Sequence, residues 1–158
     1  MSAGDLKVPV AALPAVLLLA DGASIAGRIF VPAMAARHDG PMRPDEWVNE
    51  PPAFFPFLAD DGERPILVNK VAVVALTVPA WSDEPAQDEA VPLQYLTVVV
   101  DCVAASFRGR VTLDVPAHQA RMLDVLNLPA AFLAVRDGER HHLVNKRHVV
   151  RVVEEGSG

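Results

Sequence analysis

The sequence predicts a mainly β protein built as two tandem small bent β-barrels, each of four or five strands with one short helix. Three observations predict it. The tetrapeptide Leu67-Val68-Asn69-Lys70 returns as Leu143-Val144-Asn145-Lys146, each time after Asp-Gly-Glu-Arg and before a valine-rich run. Polar and apolar residues alternate at period two through 24–31 and 106–113, the signature of a half-buried strand. The 14 prolines gather at segment ends, which suits short strands and tight connections rather than long helices.

The repeat extends beyond four letters. Segment 43–55 (RPDEWVNEPPAFF) lies over 121–133 (RMLDVLNLPAAFL), 61–76 over 137–152, and 23–31 (ASIAGRIFV) over 105–113 (ASFRGRVTL). Length differences fall between the matched blocks, where loops absorb them, so an internal duplication is expected. The organisation follows: an N-terminal arm 1–15, a first module 16–79, an acidic proline-containing linker 80–92, a second module 93–155 and a tail 156–158.

Each module is expected to begin with an apolar strand (VLLLADG, YLTVVVDC) and to continue into the alternating strand. Gly27 and Gly109 interrupt that second strand at matched points, where a glycine marks a bulge or sharp bend. Met122, Val125 and Leu126 recur at three and four, so a helix of two or three turns is expected before Pro129; Pro44 suits the first turn of its counterpart. Asn49 and Asn127 are expected to end these helices in the left-handed conformation. Arg43 with Glu46, and Arg121 with Asp124, stand one helical turn apart and should pair at the surface. A third strand, an Asp-Gly turn with positive φ at glycine, and fourth and fifth strands complete each module. The valine-rich segments 71–78 and 96–103 are the candidate sheet edges, open to strand addition.

The apolar strand, Asp-Gly turn and apolar-x-Gly-x-apolar pattern of VLLLADGASIAGRIF resemble the opening of the Sm-like or SH3-like small barrels, and LVNKVAVVALTVP resembles their closing strands. The pattern also resembles short uncharacterised bacterial proteins carrying R..D.LN...F...NK. The Sm-like resemblance implies RNA contact through the turns at Asn69, Lys70, Asn145 and Lys146, aided by Arg108, Arg110, Arg121 and Arg147. The structural reading of the same residues is a turn that uses asparagine for its backbone and lysine for solubility.

Charge separates the functions. The chain carries a net charge of −6, with −3 on the first module, −4 on the linker and +1 on the second module. A nucleic-acid binder needs a positive field over the phosphates, so RNA is the alternative and the expected partner is another protein or a second copy, a homodimer included. No cofactor and no metal are expected: the one cysteine, Cys102, lies in an apolar run, and none of His38, His118, His141, His142 and His148 is matched between modules. No nucleophile elbow, phosphate loop or zinc-protease motif is present, so no enzyme is expected. Pro9 and Pro14 interrupt the apolar N-terminal run, and 8–20 is too short to span a bilayer, so neither a signal peptide nor a membrane span is expected and the setting is taken as cytoplasmic.

Overall fold

The computed structural model describes residues 9–34, 42–82, 94–113 and 121–155. The linker segment 83–92, His38 and His118 lie outside the described residues.

The chain opens with β1 (Val10–Leu19), which turns at Asp21-Gly22 into β2 (Ser24–Pro32). Gly22 takes a φ of 92°, a conformation that glycine adopts without steric cost, and Asp21 Oδ1 accepts the Ala23 N–H to close the turn. The strand begins inside the segment expected as an arm because β2 is long enough to pair it from Val10↔Pro32 onward. Pro14 is tolerated because it lies in the part of β1 that only β2 pairs; the second neighbour joins from Val16. After a short helix, α1 (Pro44–Val48), come β3 (Phe54–Ala59), β4 (Ile66–Asn69), a 3-10 turn at Lys70–Ala72 and β5 (Val73–Pro79). The second half repeats the order with β6 (Gln94–Cys102), β7 (Ser106–Leu113), α2 (Met122–Leu126), β8 (Phe132–Asp137), β9 (Arg140–Asn145), a 3-10 turn at Lys146–His148 and β10 (Val149–Glu154).

Registers repeat along with the order. Phe54↔Asn69 and Phe55↔Val68 in one half correspond to Phe132↔Asn145 and Leu133↔Val144 in the other. The β1–β5 ladder shifts register between Leu18 and Leu19, and the β6–β10 ladder between Val149 and Arg151, at matched points. Gly27 and Gly109 have like surroundings. A Cβ on Gly27 would strike the Leu58 carbonyl oxygen and lie 2.7 Å from the Phe57 ring; one on Gly109 would strike the Arg136 carbonyl oxygen and lie 2.9 Å from Val135. Here β2 crosses β3, and β7 crosses β8, at backbone contact, which only glycine permits.

Among the described residues, ten strands form one antiparallel sheet in the order β10-β6-β7-β8-β9-β5-β1-β2-β3-β4, and it is not closed. These strands bear out the mainly β class; they do not by themselves divide the chain into two tandem barrels. The fifth strand of the first half does not return to its own β4; it pairs with β9 of the second half, from Ala75↔Val144 to Pro79↔Arg140. That pairing also corrects the expected edges. The 71–78 segment is β5 in the middle of the sheet, and 96–103 is β6, flanked by β10 and β7. Among the described residues the edges are β4 and β10.

Smaller expectations change too. The helices have five residues each, little more than one turn. They end at Asn49 and Asn127 with φ near −90° and ψ near 0°, not in the left-handed region. Gly138 has the positive φ (61°) of a two-residue hairpin loop, but Gly62 does not, because six residues separate β3 from β4 and a longer loop needs no such turn. The expected surface pairs form, Arg43–Glu46 at 3.3 Å and Arg121–Asp124 at 3.2 Å.

Two apolar clusters fill the interior. One gathers Leu17, Ile29, Val31, Phe57 and Val73 with Phe132 and Leu143 of the second half; the other gathers Val98, Val100, Val111, Val135 and Val144 with Val74 and Ala75 of the first. Each half thus lends side chains to the other's core.

Candidate functional site

The two Asn-Lys turns are built alike. Asn69 Oδ1 accepts the Val71 N–H at 3.2 Å, and Asn145 Oδ1 accepts the Arg147 N–H at 3.0 Å, so each asparagine caps the 3-10 turn that follows it. The Lys70 ammonium donates to the Glu50 carbonyl at 2.8 Å, and the Lys146 ammonium to the Val125 and Leu128 carbonyls at 3.3 and 3.0 Å. Both lysines therefore bind the carbonyl end of the preceding short helix, where a cation satisfies acceptors that a helix leaves unpaired. Partial burial lowers the pKa of both ammonium groups. These lysines are half-buried and directed at their own chain.

The candidate arginines do not meet at those turns. Arg108 and Arg110 sit two apart on β7, so they share one face. Arg108 is held by Glu155 in a bidentate pair at 2.6 and 2.9 Å, which raises the arginine's pKa and lowers the glutamate's. Arg110 stands 5.0 Å over the Tyr95 ring, and Arg121 precedes α2 and faces Asp124. Arg147 lies exposed in the second 3-10 turn. The histidines are dispersed as well. His141 is buried and stacks on Trp81 at 3.6 Å, while His142 points the other way, to Thr77 Oγ1 at 2.8 Å. Among the described residues no three metal-ligating side chains gather. Cys102 is buried, and burial, with Asp101 beside it, pushes its thiol pKa up, away from the thiolate that nucleophiles need.

What the fold brings together is the junction between halves. Beside the β5–β9 ladder, the Asn145 amide donates to the Lys70 and Val73 carbonyls at 3.2 and 3.0 Å. Asn49 reaches across to Phe132, accepting its N–H at 2.9 Å, and His148 Nε2 meets the Val71 carbonyl at 2.7 Å. Among the described residues the same kinds of strand stand unpaired at the two ends of the sheet: β4 has β3 on one side, and β10 has β6. Both carry exposed apolar side chains, Ile66 and Leu67 on β4 and Val150 and Val153 on β10. Valine content did not mark these edges: β10 holds four valines in six residues, but β4 holds one in four, fewer than the three each of the central β5 and β6. Proline did mark one: Pro65 stands directly before β4 where the paired β9 has His141.

No family model, no curated protein and no solved structure matches the chain. No helix among the described residues is long and apolar enough to cross a membrane.

Proposed function

We propose that this chain is a non-enzymatic assembly protein that joins copies of itself, or another protein, through the open edges of its sheet. Each half is read as a small, strongly bent barrel of the Sm-like or SH3-like kind. Support for that reading is the common strand order of the halves and the glycine-only crossing of the second strand over the third. The single observation that carries the function is that β4 and β10 are unpaired edges among the described residues and hold exposed apolar side chains. An edge strand offers a row of N–H and C=O groups for another strand, and soluble proteins usually guard it with charge or brevity. Here β4 is short but apolar, and β10 ends at Glu154, with Glu155 directly after it.

RNA binding has less behind it. The lysines that the resemblance assigns to RNA are engaged by backbone carbonyls just past the short helices, and Arg108 is neutralised by Glu155. Sedimentation velocity on the nuclease-treated chain over a hundredfold concentration range tests the proposal. Concentration-dependent association, or a protein partner whose complex survives nuclease, is the expected result. A monomer throughout, with a low-salt RNA shift that weakens steeply as salt rises, would replace it with the RNA reading.

A further inference from the structure

Building on the assembly reading, we infer that β4 of one copy pairs antiparallel with β10 of the next, head to tail, in the register that the chain already uses between its own halves. The argument is one of equivalence. By the repeat, β10 is the counterpart of β5 and β4 the counterpart of β9. The pair β5–β9 is formed inside the chain. The same two strand types are left over at opposite ends of the sheet.

Exposure at equivalent positions makes the argument specific. Phe132 and Leu143, buried in the first half's core at 5% and 0% exposure, correspond to Phe54 and Leu67, which are 57% and 75% exposed. Val74, which packs into the second half's core at 9%, corresponds to Val150 at 57%. Each exposed side chain is thus the copy of one that the internal junction buries. The polar atoms agree. Asn145 donates its amide to the Lys70 and Val73 carbonyls across the junction; its counterpart Asn69 has no such acceptor among the described residues, and Lys146 and Val149 of a second copy would supply it.

Transferring the five internal pairs, Ala75↔Val144 to Pro79↔Arg140, gives Arg151 opposite Val68, Val152 opposite Leu67, Val153 opposite Ile66, Glu154 opposite Pro65 and Glu155 opposite Arg64. The two central pairs set apolar on apolar; Arg151, already paired with Asp101, and Glu154 flank them, and Glu155 would meet Arg64 while holding Arg108. The contact is heterologous, so it leaves a new β4 and a new β10 free until the assembly closes on itself. A symmetric dimer that paired β4 with β4 would leave Val150 and Val153 in water.

Two variants separate these arrangements, with far-UV circular dichroism as the check on folding. Leu67→Glu blocks β4 and Val150→Glu blocks β10; both sites are exposed in the single chain. Each variant alone is expected to sediment as a monomer where the unmodified chain assembles. An equimolar mixture is expected to give a complex of two chains and no more, because one intact β4 and one intact β10 remain. A dimer from either variant alone, or a mixture that stays monomeric, would overturn the head-to-tail pairing and leave the assembly reading standing. An unmodified chain that never associates would remove both.

Discussion

At the scale of single residues, the turns show one residue type taking several jobs at once. Asn145 caps a 3-10 turn with its oxygen and ties the halves together with its nitrogen; Asn69 does only the first. Replacing each with alanine should separate the two roles. Both variants lose the cap, but Asn145→Ala also takes the amide from the Lys70 and Val73 carbonyls, of which Lys70's keeps the Val73 N–H. A hydrogen bond removed from a buried partner costs about 1–2 kcal/mol, so Asn145→Ala should be less stable than Asn69→Ala by roughly that amount in urea denaturation. The lysines next to them invite a similar comparison. Lys146→Met removes a cation from two backbone carbonyls at the end of α2, Lys70→Met from one just after α1. Lys146→Met should destabilise by about 1–2 kcal/mol, and more than Lys70→Met, which thermal melts at matched concentration can rank.

At the scale of elements, the crossing of the second and third strands is the most constrained point in each half. Alanine at Gly27 or Gly109 would place a methyl group against a backbone carbonyl that cannot rotate away. Forced overpacking of this kind costs about 1–3 kcal/mol, and the two sites should suffer alike because their neighbours are equivalent backbone atoms; equilibrium unfolding of both variants checks the equality. These glycines also show what was legible in the chain itself. A glycine at one matched place in two alternating segments demands a special backbone site, and local chemistry alone shows that. The Asn-Lys repeat likewise located both turns, and the spacing of Arg43 and Glu46 located the ion pair. Which strands face solvent was not legible, because it depends on what lies beside a strand in space. Valine at 73–78 suits a strand covered on both sides as well as it suits an exposed one, and only the β5–β9 pairing decides between them. Helix length was misjudged for a related reason: apolar spacing at Met122, Val125 and Leu126 fits one turn as well as three, and the chain leaves the helix at Asn127 to reach β8.

At the scale of the whole molecule, the exchange of side chains across the junction bears on how the protein unfolds. If each half owned its core, the two could melt separately, and tandem modules of this size would be marginal alone. Instead Phe132 and Leu143 complete the first half's cluster, while Val74 and Ala75 complete the second's. Opening the β5–β9 ladder would expose apolar surface on both sides, so neither half keeps a full core without the other. The expected behaviour is one cooperative transition. Trp47 and Trp81 pack against the first cluster and report on it, whereas far-UV circular dichroism reports on all ten strands; the two unfolding curves should coincide. Leu143→Ala should lower the common midpoint by removing about 2–5 kcal/mol, the usual cost of emptying a buried leucine site. Leu67→Ala, at the equivalent but exposed position, should change a dilute monomer by less than about 0.5 kcal/mol. A biphasic melt, with tryptophan fluorescence changing before the strand signal, would mean that the halves fold independently and that the shared cores are not what binds them.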